Sequence, residues 1–249
     1  MLQLLRRPDP EDAASRPILE LRDVWKTWWV RGHPIPVARG ITLDIPRGTG
    51  VGLMGRNGAG KSTFLSMIAG TLNPDRGRII RNGSISWPVG FRGSFHAELT
   101  GAQNVRFIAR LYGVDSDALC AFVQDFAELG DHFHLPFRTY SSGMRSRLSF
   151  AVSMGVPFDL YLIDEVTSVG DAVFKEKSRR ILMARLARSG AILVTHSVKK
   201  IRDICSKGMV LDGGRIHWYD DVEDAIAHHL AIMAAALEGA DEEAELDDD

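Results

Sequence analysis

Nine consecutive residues, Gly55-Arg56-Asn57-Gly58-Ala59-Gly60-Lys61-Ser62-Thr63, follow the pattern G-x-x-x-x-G-K-[ST]. The glycines let the backbone turn tightly, so that successive N–H groups can point at phosphate oxygens. Lys61 supplies a point charge for the β- and γ-phosphates, and the Ser62 hydroxyl is placed to ligate Mg²⁺. The context supports this reading. Gly50–Met54 reads as a short buried strand, and the apolar run from Phe64 to Ala69 as a helix whose N-terminus favours anions. The motif does not choose among kinases, GTPases, recombinases and transport ATPases.

Three further stretches could share that chemistry. Leu160-Tyr161-Leu162-Ile163 is an apolar strand ending in Asp164 and Glu165, which presents two carboxylates at its C-terminal edge. Asp164 suits Mg²⁺, a hard cation that prefers oxygen ligands. Glu165 suits a general base acting on water. The strand Ala191–Thr195 likewise ends in His196, a side chain suited to sensing a phosphate. Tyr140-Ser141-Ser142-Gly143-Met144 is a small, hydroxyl-bearing turn that opens a helix and so forms a second anion site. One nucleotide does not need two such sites from one chain. Two chains head to tail would use both, with Lys61 from one and Ser141 from the other.

These residues need a scaffold, and the patterning supplies one. Ile18–Val24 and Ile41–Ile45 read as strands separated by a loop near Gly32–Pro36. Gly77–Trp87 reads as a hairpin turning at Asn82-Gly83. From about residue 90 to 155 the period is helical, with Leu119, Phe122, Val123, Phe126 and Ala127 on one face. Strand and helix signals then alternate to a last helix ending at Leu237. The expected fold is α/β: a mostly parallel sheet around the phosphate loop, an antiparallel β flank and a helical insert. Residues 1–17 read as a flexible leader, 18–237 as the nucleotide-binding domain and 238–249 as a disordered acidic tail.

Charge agrees with that division. The chain of 249 residues carries a net charge of −2, but residues 238–249 hold eight acids and no Lys or Arg. Without them, 24 acids face 30 bases. No basic stripe with interleaved aromatics suggests nucleic-acid binding, and no apolar run is long enough to span a membrane. Cys120 and Cys205 are far apart in sequence, without metal-type spacing. The pairs His132/His134 and His228/His229 read as ordinary surface or core histidines.

Together these motifs resemble the ATP-binding subunit of an ABC transporter over about residues 18–220. Gly55–Thr63 resembles Walker A, Ile163-Asp164-Glu165 Walker B, and His196 the switch histidine. Ser141-Ser142-Gly143-Met144 resembles the signature, and Ser168-Val169-Gly170-Asp171 the D-loop. Ile85–Gly90, Leu99–Val105, and Val166 with Val169-Gly170-Asp171 resemble the polysaccharide-export members, capsular type above all. The resemblance implies ATP and Mg²⁺ as cofactors and a homodimer. It further implies an integral membrane permease and export machinery as partners, at the cytoplasmic face of the inner membrane. Its cargo would be a lipid-linked capsular polysaccharide, with O-antigen, teichoic acid or a non-transport ATP switch as alternatives. It also implies an aromatic residue stacked on adenine: Trp28, with Trp25 and Trp29 as rivals and packing beneath the sheet flank as a further reading. The family's Q-loop glutamine is missing, since Val89–His96 contains no Gln.

Overall fold

The computed structural model describes residues 16–90, 93, 95–164 and 171–246, with side chains as far as residue 236. The expected leader, through residue 15, lies outside the described residues, as does the stretch from Glu165 to Gly170.

Two sheets form the body. Strands β1 (Leu19–Val30), β2 (His33–Ile45) and β4 (Arg76–Arg81) make an antiparallel sheet in the order β2-β1-β4. The second sheet contains β3 (Gly50–Met54), β5 (Ile85–Pro88), β6 (Leu160–Asp164), β7 (Gly190–Val194), β8 (Lys207–Asp212) and β9 (Arg215–Tyr219). Its order is β5-β6-β7-β3-β8-β9, parallel except for β9. Helix α1 (Lys61–Ala69) lies between the sheets. Helices α2 (Gly101–Tyr112), α3 (Ser116–Ala127) and α4 (Ser142–Gly155) fall between β5 and β6. Helices α5 (Ala172–Leu186), α6 (Val198–Ile204) and α7 (Val222–Leu246) complete the chain order.

The parallel strands read as unbroken apolar runs because both of their faces are buried. Along β6, Leu160 and Leu162 enter the core shared with α1, while Tyr161 and Ile163 enter the core shared with α2–α5. Strand β7 divides its residues the same way: Ile192 and Val194 face α1, Ala191 and Leu193 the opposite side. The strict two-residue period leaves the strand ends, and not their faces, for polar chemistry.

Three expectations need correction. Asn82-Gly83 is not a hairpin turn: β4 pairs with β1, and β5 with β6 in the other sheet. The Asn82 amide instead donates to the Pro17 carbonyl and to Glu20, and Asp159 accepts from the Ser84 N–H and hydroxyl, both at 2.8 Å. These long-range bonds part the strands where local turn chemistry would have joined them. The loop placed at Gly32–Pro36 shrinks to a turn at Arg31-Gly32 (φ +50° and +82°), which suits the right-handed twist of a tight hairpin. The last helix continues past Leu237 to Leu246, into the stretch expected to be disordered.

The segment entering α2 is fixed by one buried side chain. The Asn104 carbonyl oxygen accepts from the His96 N–H at 2.8 Å, and its amide donates to the carbonyls of His96, Leu99 and Thr100. Thr100 and Gln103 add a reciprocal cap. Asn104→Ala would strand these buried groups, so a loss of about 2–3 kcal/mol is expected in urea unfolding. Cys120 and Cys205 are both buried, and burial pushes the Cys205 thiol up to about 12.

Candidate nucleotide-binding and hydrolysis site

The neighbours β6, β7 and β3 run parallel, so their C-terminal ends open on one edge of the sheet. From that edge come Asp164, His196 and the phosphate loop. With Asn57, Gly58, Gly60, Lys61, Ser62, Thr63 and Val194 they line a cavity of about 360 Å³. Residues up to 139 positions apart in sequence thus meet because three strands end together.

The loop is built for an anion. Helix α1 starts from Gly60 with no side-chain cap, whereas Thr100, Asp115, Ser141, Asp171 and Ser197 cap α2 to α6. The first-turn N–H groups of α1 are therefore left to a ligand. Gly60 sits at φ +100°, and a Cβ there would lie 2.4 Å from Val37 Cγ1, so glycine is required. At the other end of α1, Arg81 donates to the carbonyls of Met67 (2.6 Å) and Ile68 (2.7 Å), closing the helix away from the site. The Lys61 ammonium donates to the carbonyls of Gly55 (2.7 Å) and Arg56 (2.9 Å), so the lysine arches over the loop. Ala59 and Phe64 complete the turn through backbone bonds to Arg56 and Gly60.

Ser62 and Asp164 meet directly: the Ser62 hydroxyl donates to Asp164 Oδ2 at 3.2 Å. A hydroxyl and a carboxylate oxygen at the mouth of a phosphate loop form the donor set that a hard divalent cation takes. Among the described residues no cluster of three His, Cys, Asp or Glu could hold a metal.

Of the three tryptophans, Trp28 reaches the phosphate loop. Its indole N–H donates to Thr63 Oγ1 at 3.3 Å, and the Lys26 ammonium lies 5.0 Å from its ring. Lys26 is itself anchored, with Asp75 at 2.6 Å. That bond and the Thr27 N–H hold the Asp75 carboxyl below its usual range. Trp25 turns away to Asp23, and Trp29 is 71 % exposed. None of the three is packed beneath the sheet.

Other expected site residues stay apart. Ser141, Ser142 and Gly143 are exposed, and Met144 is half-buried, at the head of α4. None of them lines the phosphate-loop cavity. Ser141 Oγ accepts from the Met144 N–H at 3.2 Å and so caps α4. Asp171 also stands away from the cavity. Its carboxylate accepts from the Phe174 N–H and from Arg147, both at 2.9 Å, and these partners hold it below the usual carboxylate range. It ties the start of α5 to the helix that carries Ser141. Glu165, Ser168, Val169 and Gly170 lie outside the described residues.

One neighbour of the site was read in the sequence only as an ordinary surface or core histidine. His229, on α7, is depressed by burial and then by the charges of Lys61 and His196, and its Nδ1 is buried with no hydrogen-bond partner. No local pattern marks it, because only the packing of α7 on β8 and β3 carries it to this edge.

The sequence model of the ABC transporter family matches residues 38–168. The polysialic acid transport ATP-binding protein KpsT of Escherichia coli is 47% identical over 81% of this chain and 92% of its own length. The capsule polysaccharide export ATP-binding protein CtrD of Neisseria meningitidis serogroup B is 41% identical over 86% of this chain and 100% of its own. A dimeric ATP-binding cassette, solved with ADP and Pi in a post-hydrolysis state, superposes with a TM-score of 0.65 at 22% identity. That likeness covers 80% of this chain and 96% of the cassette, and it bears on the fold alone. A phosphate loop, a carboxylate-ended strand and a strand-end histidine on one sheet edge, joined to these matches, place the chain in the ABC transporter family.

Proposed function

We propose that the protein is the ATP-hydrolysing subunit of a capsular polysaccharide exporter, working as a homodimer bound to an integral membrane permease. It is an ATPase of the ABC type. The observation that carries the reading is the separation of two anion-binding turns: the uncapped α1 N-terminus in a cavity with Asp164 and His196, and the exposed Ser141 turn outside it. Each turn fits one side of a triphosphate held between two copies.

In this reading the α1 N–H groups and Lys61 hold the β- and γ-phosphates, and Trp28 supports the adenine. Ser62 and Asp164 would hold Mg²⁺, which supplies charge neutralisation across the phosphates when bound. Glu165 takes the proton of the attacking water. His196 stands at the lip of the cavity, where it can hold the water against the γ-phosphate. Ser141 of the second copy donates to that phosphate from the opposite side. Stacking on an aromatic ring is worth about 1–3 kcal/mol. Trp28→Ala should therefore weaken ATP binding by about fivefold to 150-fold in equilibrium titration. Trp25→Ala should leave that affinity unchanged.

No helix among the described residues is long and apolar enough to cross a membrane; in this reading the pathway for the glycan belongs to the permease. Phe107 and Leu111 lie one turn apart on α2, 56 % and 66 % exposed. Beside them Tyr112 packs edge-on against Trp87 at 5.1 Å. This apolar stripe is the face we assign to the permease. The names of the capsule-export relatives support the cargo, and in this reading the subunit works at the cytoplasmic face of the inner membrane. Deleting the gene in its own host should leave capsule polymer inside the cell. Undiminished surface polymer in the deletion strain would refute the assignment.

A further inference from the structure

The β1–β2 hairpin has two faces. In the register, Trp25 pairs with Arg39, Thr27 with Pro36 and Trp29 with Pro34, while Trp28 pairs with Ile35. Paired residues share a face and successive residues alternate, and a bulge between Lys26 and Thr27 skips Val37, so that Pro36 and Arg39 lie on the same side. Trp28 therefore serves the nucleotide side. On the other side Trp25, Thr27, Pro34, Pro36, Arg39 and Arg215 line an open cavity of about 500 Å³. Trp29 extends the same face at the tip.

This cavity is fixed and cationic. The Trp25 indole N–H donates to Asp23 Oδ1 at 2.6 Å, which locks the ring. Arg39 is supported from behind, since its backbone N–H donates to the Gly214 carbonyl at 2.8 Å. Asp23 is also engaged by Arg76 at 2.9 Å. No acid occurs between Asp23 and Asp44 in the sequence. Among the described residues neither Arg39 nor Arg215 has an ion pair, although Asp212 stands across the ladder from Arg215.

We propose that this cavity binds an acidic saccharide, with a pyranose ring on Trp25 and its carboxylate on Arg39 and Arg215. The C–H face of a pyranose carries partial positive charge, which suits the negative face of an indole. Guanidinium groups match a carboxylate in two parallel hydrogen bonds. Proline lacks an N–H, so Pro34 and Pro36 add rigid apolar walls without competing donors. The volume falls within the range of small-ligand sites, roughly 300–1,000 Å³. The biological meaning of such a site rests on the glycan-export reading, but the binding itself does not.

The test is calorimetric titration of the full chain, its nucleotide site filled by a non-hydrolysable ATP analogue. The probes are glucuronate- and sialate-containing disaccharides, a neutral glucose disaccharide and inorganic phosphate. We expect an acidic disaccharide to bind at least about tenfold more tightly than the neutral sugar and phosphate. The Arg39→Ala/Arg215→Ala variant should lose that binding and keep its ATP hydrolysis. Absence of binding by every acidic probe, equal binding of the neutral sugar, or equal binding of phosphate would each overturn the proposal. So would Arg39- and Arg215-dependent capture by phosphatidylglycerol vesicles without saccharide binding, which would make the face a membrane contact. If saccharide binding fails while deletion still traps polymer inside the cell, this inference falls and the export reading stands.

Discussion

Glu165→Gln should bind ATP as tightly as the parent chain, accumulate as a dimer in its presence, and lose about 10²–10⁴-fold in turnover. The substitution keeps size and hydrogen-bonding capacity but removes the proposed base. Phosphate contacts from α1 and Lys61 are untouched, so affinity survives. With the γ-phosphate intact, the interaction joining Lys61 of one copy to Ser141 of the other is never released. Single-turnover kinetics with size-exclusion chromatography checks both parts. Undiminished hydrolysis would remove Glu165 from the mechanism.

Mixing two inactive variants should restore activity. Lys61→Ala removes the charge proposed to hold the β/γ-phosphates, and losing one such preorganised group costs about 10²–10³-fold in rate. Ser141→Arg fills the signature turn with a bulky side chain at an exposed position. Each homodimer then has two damaged sites. In a mixed two-fold dimer both lesions fall on one nucleotide and the other site is whole. Steady-state hydrolysis of the mixture should rise well above either variant alone. If mixing restores nothing while both variants still associate, each chain uses its own Ser141 and the shared-site arrangement is wrong. The placement of Ser141 away from the phosphate-loop cavity favours recovery.

Much of this site was legible in the chain. The phosphate loop is a local object: tight turns need glycine, and anions favour a helix start, so nine residues suffice to read it. The strands ending at Met54, Asp164 and Val194 were readable because residues buried on both faces must all be apolar. Helix starts at Ser142, Ala172 and Val198 follow their caps Ser141, Asp171 and Ser197. Asn82-Gly83 misled, because a favourable turn dipeptide was overruled by Asp159, which binds Ser84, 75 positions before it, and draws the chain toward the other sheet.

The resemblance named Trp28, with Trp25 and Trp29 as rivals, and composition could not rank the three. The structure adds that the Trp28 indole reaches Thr63 while Trp25 turns to Asp23. His229 reached the site only by the path of α7 across the sheet.

The sequence by itself determined the chemistry available here, because phosphate binding, cation ligation and helix capping are set by residue type within a few positions. Only the tertiary structure decided which groups meet. Strand order brought Ser62 to Asp164, and it set His196 beside them and Ser141 apart. Strand order is settled by the burial of two apolar faces at once, a property of the whole sheet that no short stretch contains.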